Sequence, residues 1–482
     1  MKRFFALLMG TFVVGCSVGP NYQRPELEAP EGWTVKDSAA IVSDSTALAI
    51  ADTAWWELFG DTVLTDLITT ALVENNDIRI AAARVEEFLG LYGVTKSDFF
   101  PKIDAAGTAA RGQRLLSGDG SQTRPTTNVF DVNIGARWEI DLWGKIRRAT
   151  EAARADLFAS EESRRGVVLS VTALVADSYF DLLSADRQLE IAERTAASRL
   201  GTVRLFEARL EQGDASELEL SQVQSQYWQA VSQVSALKRE VSRIENAISV
   251  LLGRVPGPVL RGGRIVDLPL PLVPASLPSE LLERRPDVRL AEEQLIAANA
   301  RIGVARSLYF PSISLTGLFG VASVDLENLF TPTARIWDVS GSVLQPIFYW
   351  GEISGQVEAA EAIQRQTLYA YVGSVQNAFR DAEDALVGRT TIQEERDAQD
   401  EQTKALSTYE RLARMRYEDG VTSYLEVLDA ERALFSSELQ LAQTEASLRK
   451  SIVGVYRAMG GGWLDQAANA AVNPSDPVGE RE

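Results

Sequence analysis

One strand in the first third of the chain limits its fold more than any other feature. Phe130, Val132, Ile134, Ala136, Trp138, Ile140 and Leu142 alternate with Asp131, Asn133, Gly135, Arg137, Glu139 and Asp141. Period-two alternation sorts apolar and polar side chains onto opposite faces of a strand. A soluble strand half-buried on a core alternates in the same way, but usually runs only about 5–6 residues. A tilted strand that crosses a bilayer needs roughly 9–11. The length therefore predicts a transmembrane barrel strand, apolar towards lipid and polar towards water. Phe99, Phe100 and Trp143 at one end read as an interfacial aromatic belt.

The strand lies in a stretch that occurs twice. Phe100-Pro101-Lys102-Ile103 leads to Trp143-Gly144-Lys145-Ile146, and Phe310-Pro311-Ser312-Ile313 leads to Trp350-Gly351-Glu352-Ile353. Each copy reads as a two-stranded hairpin feeding a very long helix. Asp77-Ile78-Arg79-Ile80-Ala81 recurs as Asp287-Val288-Arg289-Leu290-Ala291, an offset of 210 that Phe100 and Phe310 share. Beyond the hairpin the offset is 207, for Trp143 and Trp350, Gly213 and Gly420, Leu218-Glu219 and Leu425-Glu426, and Gly253 and Gly460. The three-residue change falls at a loop tip, where deletion is tolerated. Strand parity survives it, Val132, Ile134 and Ala136 mapping to Val339, Gly341 and Val343. The chain is an internal duplication.

The helical segments fit the same plan. Residues 63–95 have helical periodicity, and 144–212 run without proline, enough for a helix of about 100 Å. Gly213 breaks that helix, and a return helix follows to Leu252. The return helix carries a stripe of Leu220, Val223, Tyr227, Ala230, Val234, Leu237, Val241, Ile244, Ile248 and Leu251, a sustained coiled-coil repeat. The stripe recurs from Val427 to Ala458. Together, the helix at 63–95 and the return helix match the long one in length. The expected organisation is a signal peptide at 1–15, a lipid-anchored strap at 16–62, repeat 1 at 63–253, a Pro-rich connector at 254–278, repeat 2 at 279–463 and a disordered tail at 464–482.

Composition narrows the function. A formal charge of −19 argues against nucleic acid. The absence of His removes imidazole ligands and Ser-His triads. A single cysteine, Cys16, can form neither an internal disulfide nor a zinc cluster. These features lead us to expect no enzyme activity, no metal and no cofactor. Lys2-Arg3 and the apolar run Phe4 to Val14 form a signal-peptide pattern too short to span a bilayer. That run closes on Gly15-Cys16, which resembles a bacterial lipobox and implies cleavage before Cys16 and its acylation. Beyond residue 15 no run of 18 apolar residues is evident. A membrane-spanning mature chain must therefore use a closed β-barrel, because open edges cannot be satisfied in lipid.

Two strands from each repeat give four per chain, and the smallest membrane barrels have about eight. The chain must oligomerise to close one. Two copies would give a barrel filled by side chains, whereas three leave a channel. The inward list, with Asp131, Asn133, Glu139 and Asp141, is polar and favours the water-filled trimer. The fold class is therefore an α+β membrane protein: a trimeric β-barrel, four strands per chain, continued by a long α-helical barrel.

The motifs Gly15-Cys16 with Gly19-Pro20-Asn21-Tyr22, Trp55-Trp56 with Phe59, Leu251-Leu252-Gly253, and Leu282-Glu283-Arg284-Arg285-Pro286-Asp287-Val288 occur in order. They are followed by Tyr309-Phe310-Pro311, Tyr424 to Ala430, and Met459-Gly460-Gly461-Gly462-Trp463. Together they resemble the TolC-type outer-membrane factor family, in its OprM/NodT-like efflux lipoprotein branch. The resemblance implies a homotrimeric exit duct of a tripartite efflux or type I secretion system in a Gram-negative outer membrane. A periplasmic adaptor and an RND- or ABC-type inner-membrane pump would be its partners. It also implies that the helical tips, with Gly213, Asp214, Ser216, Gly420, Val421 and Ser423, dock the adaptor. Leu425 and Asp429, with Tyr417 nearby, match positions lining a periplasmic gate. Glu418 stands where the family pattern often has a basic residue. Taken as local structure, Gly213 and Gly420 are helix C-caps, and Ser216 and Ser423 are N-caps. The rival reading is a lipid-anchored periplasmic coiled-coil structural protein without a pore, which leaves the alternating strands unexplained.

Overall fold

The computed structural model describes residues 17–27, 30, 32–33, 41–42, 54–113, 116–118, 121–123, 126–274 and 283–461. The expected signal peptide, Cys16, Trp463 and the tail at 464–482 lie outside the described residues. Two compact units emerge. One takes in Arg84–Ser160 and Leu290–Val372 with the strap up to Glu26; the other takes in Leu27–Ala83, Glu161–Arg289 and the chain from Gly373.

The main elements are helices α1 (Thr62–Glu74) and α2 (Asn76–Lys96), strands β1 (Lys102–Gln113) and β2 (Thr126–Ile140), and helices α3 (Lys145–Gln212) and α4 (Glu217–Leu251). Then come α5 (Pro286–Ser307), β3 (Ser312–Ser323), β4 (Arg335–Leu344), α6 (Glu352–Glu418) and α7 (Tyr424–Ala458).

In the first unit, four antiparallel strands lie in the order β1-β2-β3-β4. Register sets the two faces. Val132 lies opposite Val321, Ile134 opposite Phe319 and Trp138 opposite Leu315. Leu315 in turn faces Gly341, and Ile313 faces Val343. Opposed residues share a face, so the alternation seen in β2 extends across the sheet. The expected parity of Val339, Gly341 and Val343 with the apolar residues of β2 is what the register gives. Within each hairpin the pairing is also the same: Lys102 opposite Arg137 corresponds, at offsets of 210 and 207, to Ser312 opposite Leu344.

The strap docks on this unit. Val18 N–H donates to the Trp143 carbonyl at 3.0 Å, Arg148 to Asn21 Oδ1 at 2.7 Å, and Asn299 to the Pro20 carbonyl at 3.0 Å. Tyr22 and Arg24 both reach Glu292. Ser17 crowds Gly144, where a Cβ would come within 2.8 Å of the Ser17 hydroxyl.

The second unit has an apolar core around Trp55, Phe59, Leu64, Ile68, Phe180, Ile248, Ile452 and Tyr456, with Trp55 stacked on Tyr456 at 5.9 Å. The connector is part of this core. Val259, Ile265, Leu268 and Val273 are buried, and Val273–Pro274 pairs in parallel with Ile41–Val42. Arg449, nearly inaccessible, donates to the Leu268 carbonyl. In α4, Val223, Ala230, Leu237 and Ile244 of the coiled-coil stripe are buried, one every seven residues, and Ile248 is buried with them.

One expectation needs correction here. The single helix at 63–95 is two helices, because the Asn75 backbone is extended and its Oδ1 accepts from the N–H groups of Asp77 and Ile78. An Asn that satisfies the orphan donors of a new first turn starts a helix and does not continue one. One stretch of α3, though no unbroken apolar run, is apolar enough by length and composition to cross a membrane. Its Val168, Val175, Ala176, Phe180 and Leu182 are buried in the core of the second unit, so the segment is a core helix.

Candidate gate and docking tips

At the far end of α3 the chain reverses through Gly213, whose φ of +83° is costly for residues with a Cβ. Gly213 N–H donates to the Leu210 carbonyl, and Asp214 N–H to that of Arg209, satisfying two of the last carbonyls of the helix. Ser216 then opens α4 with a capping box: its Oγ accepts from Glu219 N–H at 3.2 Å, and Glu219 Oε2 accepts from Ser216 N–H at 2.8 Å.

The second tip repeats the plan with a difference. Gly420 has φ +72°, and Gly420 and Val421 donate to the carbonyls of Tyr417 and Arg416. Ser423 occupies the N-cap position of α7, but its side chain makes no capping bond. Glu426, the counterpart of Glu219, is drawn instead to Arg416 at 2.8 Å and to the Thr422 hydroxyl. Ala215 fills the Thr422 position in the first tip and offers no hydroxyl.

The two tips pack on each other. Phe206 and Tyr424 approach to 4.7 Å between ring centres, Tyr417 meets Tyr424 edge-on at 5.0 Å, and Val223, Val427 and Leu428 close the cluster. Arg209 donates to the Tyr417 hydroxyl and lies over the Tyr417 ring. Gly213, Asp214, Ser216, Gly420, Val421 and Ser423 are exposed. Leu425 and Asp429, one turn apart on α7, are exposed beside each other and line a groove with Leu218, Ser221 and Arg432. Tyr417 belongs instead to the inter-tip cluster. Glu418 is exposed, and the basic residue at this tip, Arg416, is already committed to Glu426. Sequence reasoning missed Arg209 and Arg416, although they occupy equivalent places at the 207 offset.

On the sheet, Asp131, Asn133 and Glu139 share the polar face with Thr316 and Ser314. Asp131 Oδ1 accepts from Asn133 at 3.5 Å, and Glu139 pairs with Lys145 at 3.0 Å. Asp141 departs from its expected place. The alternation reads it as the last inward strand position, yet β2 ends at Ile140. The Asp141 carboxylate instead accepts from Ile146 and Arg147 N–H at 3.1 and 3.0 Å and pairs with the Arg147 side chain. A helix as long as α3 begins with unpaired N–H donors and a positive end, and a carboxylate there satisfies both.

A four-stranded sheet polar on one face and apolar on the other, with long helical hairpins ending in capped tips, defines the class of barrel-forming outer-membrane channels. Comparison with known proteins agrees. The family model described as "Outer membrane efflux protein" matches residues 67–254 and 277–461, once for each repeat. Among curated relatives, the solvent efflux pump outer membrane protein SrpC of Pseudomonas putida is 36% identical over 95% of this chain and 97% of its own. The cation efflux system protein CusC of Escherichia coli O6:H1 is 34% identical over 94% of this chain and 96% of its own. Among solved structures, the open state of the Neisseria gonorrhoeae MtrE outer membrane channel superposes with a TM-score of 0.81. It is 30% identical and covers 93% of this chain and 99% of that one. The chain belongs to the outer membrane efflux protein family. Its fold is that of the family's trimeric channels, a β-barrel joined to an α-helical barrel, and it is an efflux channel of the Gram-negative outer membrane.

Proposed function

We propose that three copies of this chain form the exit duct of a tripartite efflux system, receiving cargo from an inner-membrane pump through a periplasmic adaptor and passing it without chemistry. The observation that carries this reading is the sheet. β1 and β4 are its outer strands, and a two-faced sheet in lipid must pair every edge. The coiled-coil stalk reading leaves that sheet without a purpose. In this account Asp131, Asn133 and Glu139 line the pore, and Asp141 secures its junction with α3. The acylated Cys16 anchors the strap to outer-membrane lipid. The exposed tips dock the adaptor, and Leu425 and Asp429 form the gate, with Tyr417 holding it against Arg209.

Three Asp429 carboxylates brought together near the threefold axis repel one another, and cations or the adaptor relieve that repulsion. Purified protein in a planar bilayer should give discrete conductance steps, and Asp429→Ala should raise the conductance. Folded protein that never conducts contradicts the channel; an Asp429→Ala channel identical to the parent contradicts only the gate.

A further inference from the structure

The duplication lets one junction inside the chain serve as the template for the junction between chains. Where repeat 1 meets repeat 2, β2 pairs with β3, the Trp143 ring stacks on Phe310 at 4.9 Å, and Trp143 Nε1–H donates to the Pro311 carbonyl at 2.8 Å. Each of these residues has a repeat-mate of the same type: Trp350 for Trp143, Phe100 for Phe310 and Pro101 for Pro311. Within one chain these mates are unused. Trp350 is 87% exposed and Phe100 64% exposed. Trp350 also has φ +48°, a conformation uncommon for a bulky residue, and its ring lies on Phe348.

Resting on the trimer proposed above, we infer that Trp350 clasps the next copy, stacking on that copy's Phe100 and donating its indole N–H to that copy's Pro101 carbonyl. The same transformation sets the register of the seam. Ala136 opposite Gly317 becomes Val343 opposite Gly107, Gly135 opposite Leu318 becomes Ser342 opposite Thr108, and Ile134 opposite Phe319 becomes Gly341 opposite Ala109. Both faces agree across it, since Val343 and Gly341 meet Gly107 and Ala109 of the apolar face while Ser342 meets Thr108 of the polar one. The hydrogen-bonded ladder ends before Pro346, which has no N–H to give.

The helices beside the sheet fit the same rule. Ala152 and Ala155 of α3 pack on Ala297 and Ala300 of α5. Their repeat-mates Ala359 and Ala362 on α6 are equally small, and Gly90, the mate of Ala300, faces open space in the single chain. Leu295, Ala298 and Ile302 of α5 are buried, whereas their repeat-mates on α2, Val85, Phe88 and Tyr92, are only half-buried. The surface that α5 buries within its own chain is the surface α2 offers to the next.

The test is a pair of cysteine substitutions in the full chain. After mild oxidation, Ser342→Cys with Thr108→Cys should give covalent dimers and trimers on a non-reducing gel. Ser342→Cys with Asp104→Cys, four residues out of register, should stay monomeric. Cross-linking of the second pair as well as or better than the first would overturn the register. The clasp is read separately from the temperature at which trimers dissociate. Trp350→Ala and Phe100→Ala should each lower it, and the double variant should lower it no further than the larger single effect. Additive or absent effects would overturn the clasp. Native mass separates the two levels: a trimer with no cross-link contradicts the seam alone, whereas absence of a trimer contradicts the assembly on which it rests.

Discussion

Asn75 and Arg285 occupy the same place in the two repeats, at the start of α2 and α5, and make the same connection with different chemistry. Asn75 Nδ2 donates to the Leu251 carbonyl at 2.7 Å; Arg285 donates to the Ala458 carbonyl at 3.1 Å. Leu251 and Ala458 are themselves repeat-mates, so each tie joins the beginning of one helix to the end of the return helix of its own repeat. Asn75 completes its role by capping α2. Arg285, buried, instead pairs with Asp287 at 2.8 Å and Asp381 at 3.2 Å. The duplicated backbone has kept the contact while the side chain that makes it has changed. The tips show the converse, since both keep the Ser-x-x-Glu motif but only the first forms the capping box. A shared motif does not guarantee a shared contact, and a shared contact does not need a shared residue.

The largest test of this comparison is Arg285→Ala. It strips a buried tie and leaves the Ala378 and Ala458 carbonyls without their donor, so it should cost about 3 kcal/mol of thermal or denaturant stability. Asp177, on α3, comes next. Its repeat-mate Asp384 is exposed, whereas Asp177 is half-buried, with its Oδ1 inaccessible and lacking a hydrogen-bond partner. Burial pushes its carboxyl up to about 6, against the pull of Lys450 and Arg457. A raised carboxyl means that the native state holds the proton more tightly than the unfolded one. Stability from this group is therefore present at low pH and lost as pH rises from about 4 through about 6. Asp177→Asn should be near neutral at pH 4 and stabilise by roughly 2–3 kcal/mol at pH 8, measured as the melting temperature across that range. A gain at pH 4 that disappears at pH 8 would contradict the sign.

Asn75→Ala should cost about 1–2 kcal/mol, less than its counterpart because no ion pair is lost. Smaller still is the contrast between the tips. Ser216→Ala should cost about 1 kcal/mol, while Ser423→Ala should stay within about 0.5 kcal/mol. Equal losses at both tips would mean that the Ser423 side chain caps α7 after all.

Much of this was legible in the sequence because it depends on period and repeat. The alternation of β2, the matched offsets and the coiled-coil stripe each follow from local geometry, and the register reproduces them. What was not legible depends on partners distant in sequence. No Gly or Pro marks the break at Asn75, and the Asn75-Asn76 pair was the only sign that a cap could interrupt the helical period. Asp141 fits the alternating pattern by type, but the unpaired N–H groups at the start of α3 claim it first. The difference in burial between α2 and α5 has no signature in either helix alone, because it is set by which elements, distant in sequence, pack on each. Likewise Tyr417 matches a gate position by motif, while its contact with Arg209 appears only when the two tips are folded together.

The central claim is that one chain is an incomplete wall and that three copies complete it. Native mass spectrometry of the purified, detergent-released full-length protein tests this most directly. The account predicts one dominant species of three copies, with neither stable monomer nor dimer. A folded, monodisperse monomer that retains its strand and helix content would contradict it.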